Sequence, residues 1–524
     1  MENKSDFQNR FEFETKKDIS VEKFDIDKDY KYLNIKFNSY EKKNPVVYLM
    51  LIDSNNVLRL QYRSINSKNN LIISEDSSKC SIGAYPGKIV TGVWKLIITS
   101  LEKKKENQKY NVVIEGLNEF INGDIDKLGE DVWVDYNTEN KSLLSLSSYD
   151  WNKSFSKERR WYKGDFHTHT ILSDGKMTNK LYIKAAKEMN LDFAVCTEHN
   201  IVPTGWKREN ELLIIPGTEI TLEDGHFNIL GIRKFPLNLA LKKIIENKKY
   251  KKYKKYKSSN EIQENMVKEL VSTYRDEKAV YSVNHMVLEF WKWKLLNVEL
   301  DKFQTIEICN DPTYYLGAES NDKVLKMLDI LWNDGYRIYG IGGSDAHILP
   351  TETYDNSNER SIIGDPATFI YSNGLIADNI IHSLKKGHAY VSRGIILDIR
   401  IEVISSGKSE TYLPGDEIKI THNAQIYYSI NINLENINNE YGKINETHFP
   451  LKVCFIENGK RFEKSLSSEG RIDFAAQWKE HEYKYLSVEI REEDGRFRGY
   501  INSVYHSYKK HELRTFRDLF EKSM

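Results

Sequence analysis

The chain has 524 residues, 40% hydrophobic and 29% charged, the composition of a folded protein of about three or four domains and not of a disordered chain. Its 76 basic and 77 acidic side chains give a net charge of −1, so no overall field draws it to nucleic acid or to an anionic membrane. Apolar runs such as 46–52 fall far short of the about 20 residues that cross a bilayer.

The opening residues, Met1-Glu2-Asn3-Lys4-Ser5-Asp6, hold no apolar stretch of the kind a secretory signal needs. Residues 1–125 read as all-β. Leu33, Ile35 and Phe37 alternate with polar neighbours, the period of a half-buried strand, and further strands are predicted over 46–52, 93–99 and 111–115. A polar stretch, 126–160, reads as a connector. From 161 to 395 strand and helix alternate. Helices are predicted over 178–189, capped by Thr178, and over 324–333 and 375–386. Strands are predicted over 192–197, 212–215, 279–283, 305–309 and 337–341. Repeated β-then-α units imply a parallel sheet, either a (β/α) barrel or a doubly wound fold. Residues 396–524 return to alternating strands, with hairpin turns at Asn458-Gly459 and Asp494-Gly495, and read as a β-sandwich. The lysine- and tyrosine-rich run 248–257 has the composition of a solvated charged segment, although lysine and tyrosine interleaved in this way also suit nucleic acid. The four cysteines, Cys80, Cys196, Cys309 and Cys454, are more than a hundred residues apart with no CxxC pair. That spacing argues against a disulfide framework or a thiolate metal site and fits a reducing cytoplasm.

The chemistry concentrates in the middle segment. None of the 13 histidines precedes His167. Imidazoles and carboxylates then follow at predicted strand ends: Asp165-Phe166-His167-Thr168-His169, Ser173-Asp174-Gly175, Thr197-Glu198-His199-Asn200, Gly217-Thr218-Glu219, Gly225-His226, Asn284-His285 and Ser344-Asp345-Ala346-His347. Side chains repeat every two residues along a strand, so His167 and His169 point to one side, as do Asp345 and His347. Imidazole together with carboxylate suits Zn²⁺, Mn²⁺ or Fe²⁺. Delivery from the ends of several strands to one rim is the placement of catalytic groups in barrel enzymes.

This order of motifs over 161–395 resembles the PHP (polymerase and histidinol phosphatase) superfamily, and within it the CehA/McbA-type metallohydrolase branch. The stretch Gly387-His388-Ala389-Tyr390-Val391-Ser392-Arg393-Gly394 is similar to that branch as well. Met286, after Asn284-His285, and the 248–257 insertion depart from it. The resemblance implies an α/β fold, a distorted (β/α)7 barrel flanked by N-terminal and C-terminal β-sandwich domains at 1–125 and 396–524. It implies two or three divalent metals. The first would take His167, His169, Glu219 and Asp345; the second Glu219, His226 and His285; the third Asp174, His199 and His347.

The expected reaction is hydrolysis of a small phosphate ester or nucleotide. The nucleophile would be a hydroxide held between metals that lower the pKa of water from 15.7 toward about 7. No side chain would serve as nucleophile. Arg393 is the expected phosphate clamp, because a guanidinium fork matches phosphate geometry. Asn200 and Asn284 are placed either to touch substrate or to orient the imidazoles. Two other readings stand beside this one: hydrolysis of a carboxylic or carbamic ester or amide by the same metals, and a non-catalytic binding protein built on the β-sandwich modules.

Overall fold

Among the described residues, eight antiparallel strands open the chain: β1 (Phe7–Glu14), β2 (Ile19–Ile26), β3 (Tyr32–Ser39), β4 (Val47–Ile52), β5 (Leu58–Arg63), β6 (Asn70–Ser74), β7 (Gly92–Ser100) and β8 (Lys109–Leu117). They form two sheets, ordered β1-β8-β3-β6 and β2-β7-β4-β5. Leu33, Ile35 and Phe37 share a core with Val47, Leu49 and Leu51 of β4 and Trp94, Leu96 and Ile98 of β7. The intervening residues of β4, Tyr48, Met50 and Ile52, belong to a second core that also holds Leu172, Ile201 and Val202. A strand buried on both faces loses its polar alternation, which is why 46–52 is one unbroken apolar run. The second N-terminal sheet therefore packs its outer face on the central segment. The computed structural model describes residues 7–14, 19–39, 47–63, 70–100, 109–121, 127–136, 144–236, 259–443 and 446–524; the run 248–257 lies outside them.

Seven central strands follow, each beside the next: β9 (Ser156–Thr168), β10 (Phe193–Cys196), β11 (Leu213–Leu222), β12 (Gly225–Leu230), β13 (Val280–Val283), β14 (Thr305–Asn310) and β15 (Tyr339–Gly343). A parallel bridge between Thr168 and Ala346 brings the end of the series back to β9. Helices α1 (Asn179–Glu188), α2 (Ser259–Ser272) and α3 (Gly317–Asn333) lie between strands of this series. The Thr178 side chain accepts from the Leu181 amide and caps α1, as the sequence predicts.

The pairing corrects the expected uniform succession of parallel units. β9, β10 and β11 pair in parallel, as do β13, β14 and β15, but β11–β12 and β12–β13 are antiparallel. Only Glu223 and Asp224 join β11 to β12, whereas a parallel crossover needs a dozen or more residues. Gly225, at φ 148°, closes that hairpin. The outcome is a mixed sheet with few helices.

That sheet continues past β9 through β16 (Ala367–Leu375) and β17 (Ala389–Ser392), with α4 (Ala377–Lys385) between them, and then through four C-terminal strands, to a total of 13 strands among the described residues. A further four-stranded sheet, which contains Ile395–Ser405 and Ala424–Leu434, shares a core with it through Ile401, Ile430, Val453 and Val488. The stretch that reads as a polar connector carries buried aromatics. Trp133 is edge-on to Tyr149, with centroids 5.2 Å apart, and stacks on Trp206. Among the described residues no helix is long and apolar enough to cross a membrane.

Candidate metal centre

The end of β9 sets the geometry. His167 and His169 sit two residues apart on a strand, and their Nε2 atoms lie 3.2 and 3.0 Å from Asp345 Oδ1. Both are 3.6 Å from Glu219 Oε2. Glu219 stands where β11 has outrun its parallel partner β10, and it is wholly buried. Its other oxygen, Oε1, faces His226 Nδ1 at 3.1 Å and His285 Nε2 at 3.4 Å. Beyond His169, Asp174 sets Oδ2 3.3 Å from His199 Nε2 and Oδ1 3.4 Å from His347 Nε2. The structure thus gathers all nine residues that the sequence singled out as ligands. Donor atoms lie within 4.8 Å of one another in three sets: His167, His169 and Glu219; Glu219, His226 and His285; and His169, Asp174, His199 and His347.

Further residues fix these side chains. Glu307 Oε1 is 2.6 Å from His167 Nδ1, which turns Nε2 toward the carboxylates. Glu307 Oε2 accepts from the His285 amide and from Asn310 Nδ2. The fit is tight enough to require Gly343: a Cβ there would stand 2.4 Å from His167 Cβ and 2.8 Å from Glu307 Oε1. Asn284 donates to Glu219 Oε1 at 3.0 Å, and Thr221 bonds His199 Nδ1. Glu198 turns away from the imidazoles and takes hydrogen bonds from Thr170 and Ser173, which ties down the loop carrying Asp174. His285, at φ 27°, and Asp345, at φ 51°, occupy the left-handed region, at a cost of order 1–3 kcal/mol each. Strain of that size at two candidate ligands marks a geometry the surrounding fold imposes.

The electrostatics are those of acids and imidazoles pressed together. Burial alone would raise the carboxyls of Asp174, Glu219 and Asp345, yet the histidines beside them hold all three well below the usual range. Burial works against the charged form of His347 too, but Asp174 and Asp345 raise it to about 10. His167 is raised in the same way by Asp345, Glu307 and Glu219. His169 goes the other way, down to about 3, through burial and the neighbouring His347 and His199. His167 Nε2, His169 Nε2, Glu219 Oε2 and Asp345 Oδ1 are buried and make no hydrogen bond. Converging nitrogen and oxygen donors, buried and otherwise unsatisfied, fit a divalent metal ion.

The centre opens into a cavity of about 330 Å³, whose other walls include Arg63, Trp291, Asn310, Asp311, Tyr314 and Tyr354. Burial pushes the Asp311 carboxyl up to about 7, although Thr313 donates to it at 2.6 Å. The three residues expected to touch substrate are not among the cavity walls. Arg393 is buried in ion pairs with Asp365, at 2.9 Å, and Glu359, so its guanidinium is already engaged. Asn200 spends its amide on both backbone groups of Thr221. Asn284 is engaged with Glu219 and Asn228.

Sequence reasoning missed Glu307, Asp311 and Arg63. Glu307 had a signal, a lone acid inside the apolar strand Thr305-Ile306-Glu307-Ile308-Cys309. Arg63 had none, because it comes from a different sheet.

No protein-family model and no curated protein matches the chain. Two of the solved structures similar to it are weak matches. One is a two-domain protein from Bacteroides vulgatus described as containing a predicted PHP-like metal-dependent phosphoesterase, with 16% identity, 66% of this chain and 96% of that chain covered, and a TM-score of 0.32. The other is an amidohydrolase from Chromobacterium violaceum with bound sulfate and no metal, with 13% identity, 36% of this chain and 89% of that chain covered, and a TM-score of 0.21.

Proposed function

We propose that the chain is a metal-dependent hydrolase acting on a small phosphate ester. The observation that carries this reading is Glu219, a fully buried carboxylate with one oxygen facing His167, His169 and His199 and the other facing His226 and His285. An isolated buried carboxylate is costly, and one set between two donor clusters is suited to bridge two cations. His167, His169, Glu219 and Asp345 would hold one ion, Glu219, His226 and His285 a second, and Asp174, His199 and His347 a third. When bound, such ions supply Lewis acidity toward a phosphoryl oxygen and acidify water toward neutral pKa.

The chain's own residues do the positioning. Glu307 fixes the His167 ring, Asn284 fixes Glu219, and Glu198 fixes the loop of Asp174. Trp291 and Leu288 supply apolar wall to the cavity. In architecture, we read the strands from β9 to β15 as a distorted (β/α)7 barrel of the PHP, CehA/McbA-like kind. β-Sandwich domains would lie at 1–125 and 396–524, with 126–160 joining the first to the barrel at 161–395. The four cysteines, all free and buried, are in keeping with a reducing cytoplasm.

The test is a screen of the protein loaded with Mn²⁺, Zn²⁺ or Fe²⁺ against phosphomonoesters, phosphodiesters, nucleotides and carboxylic esters. Turnover of a phosphate ester that chelator abolishes supports the proposal. Turnover of carboxylic or carbamic esters alone would keep the metals and replace the substrate class.

A further inference from the structure

Among the described residues that line the cavity, one side chain is permanently cationic, and it comes from the N-terminal sheets. β5 ends at Arg63, whose strand register sets it opposite Tyr48 of β4. Directly opposed residues of an antiparallel pair share a face. Tyr48 faces the central strands, since its hydroxyl donates to the Asn200 carbonyl at 3.1 Å. Arg63 therefore projects the same way, and its Nη1 reaches to 3.2 Å from Asp174 Oδ2.

The sheet that carries it is held at a set distance. Thr204 donates to the Ala84 carbonyl at 2.6 Å, and a Cβ on Gly83, at φ 76°, would stand 2.8 Å from Leu172 Cδ1. The Arg63 side chain is only 13% exposed, and its Nε and Nη1 make no hydrogen bond although a carboxylate lies alongside. A guanidinium offers five donors in a planar fork that matches two oxygens of an oxyanion. Arg63 lines the cavity beside Asp174, so an oxyanion in that space would meet this fork.

We propose that Arg63 is a substrate-binding residue that holds an anionic phosphoryl oxygen beside the Asp174 cluster, so that the N-terminal sheets complete the active site. This rests on the metal-dependent phosphoesterase reading above. It assigns to Arg63 the clamp role expected of Arg393.

The test compares wild type with Arg63→Lys and Arg63→Gln, both folded by circular dichroism and loaded with Mn²⁺. Three quantities are read: metal content by elemental analysis, binding of inorganic phosphate by calorimetry, and KM and kcat for 4-nitrophenyl phosphate. Metal content should stay at the wild-type value in both variants. Phosphate binding should weaken at least about tenfold in Arg63→Gln and less in Arg63→Lys, which keeps the charge but loses the fork. KM should rise by a similar factor, with a smaller change in kcat. The proposal is overturned if Arg63→Gln loses an ion, which would make Arg63 a mere prop for Asp174, or if phosphate binding does not change. A wild-type protein that takes up metal and hydrolyses phosphate esters but binds no phosphate overturns the Arg63 assignment alone. A wild-type protein that takes up no metal overturns both readings.

Discussion

Glu219→Gln is the perturbation that bears hardest on the centre. Glu219 stands 2.6 Å from His199, 3.1 Å from His226, 3.4 Å from His285 and 3.6 Å from both His167 and His169. The amide keeps the shape, removes the charge, and replaces one acceptor oxygen with a donor. At an effective dielectric near 20, two unit charges about 4 Å apart interact by about 4 kcal/mol, and a dication doubles the gross figure. Relief from burying a carboxylate offsets much of that. If one third of the single-charge figure survives, each of two ions loses about 1.3 kcal/mol, close to tenfold in Kd. The set facing the new NH2 group also loses an oxygen outright. We expect about one ion per chain to be lost and hydrolysis to fall by about 10³-fold, the upper end of what a single charge-stabilising group is worth. The fold should persist, because the strands beneath are held by apolar residues such as Phe166, Val195 and Ile215. Elemental analysis after gel filtration, with circular dichroism as the folding control, reads both quantities. Full occupancy with near-native turnover would refute the reasoning and leave Glu219 as no more than a counter-charge for histidines.

Glu307→Gln should weaken metal binding about 10- to 100-fold by releasing the His167 ring; a Mn²⁺ titration that matches wild type would dismiss that role. Arg393→Met should destabilise the fold by about 3–5 kcal/mol, because Asp365 is left buried without its cation, while metal content is unchanged. Urea unfolding checks this, and a midpoint equal to wild type contradicts it. Metal uptake should strengthen with pH. The His347 proton, held up to about pH 10 in the metal-free protein, must leave when the ring nitrogen ligates. The same raised pKa stabilises the metal-free fold fully below about pH 6.5 and is lost as pH rises to about 10. Calorimetry in buffers of different ionisation enthalpy should therefore show proton release on Mn²⁺ binding, and identical heats in all buffers would count against it.

The sequence exposes local pattern well and long-range pairing poorly, and this chain shows where the boundary falls. Period-2 spacing put His167 with His169 on one face, and Thr178 announced the start of α1, because both signals are carried by a few adjacent residues. The nine candidate ligands stood out as imidazoles and carboxylates at predicted strand ends, and the structure brings those side chains together. The antiparallel insertion at β11–β12–β13 was not legible, although Asp224-Gly225 is a hairpin signal, because alternation of strand and helix predictions says nothing of direction. Arg393, the expected clamp, is buried against Asp365 at 2.9 Å, a partner that an arginine in a motif does not disclose. Arg63 was out of reach because it enters the cavity through the packing of a separate sheet, which depends on Tyr48, Met50 and Ile52 being apolar on the side that an isolated sheet would leave to solvent.

The central claim is that acids and imidazoles gathered at the ends of these strands hold catalytic divalent ions. The most direct measurement is metal stoichiometry and hydrolysis on one sample: stripped with chelator, reloaded with Mn²⁺, Zn²⁺ or Fe²⁺, desalted, analysed for metal and assayed with 4-nitrophenyl phosphate and a phosphodiester. The account predicts two or three ions per chain and turnover that disappears and returns with them. Less than one ion per chain after reloading, or turnover unaffected by stripping, would contradict it.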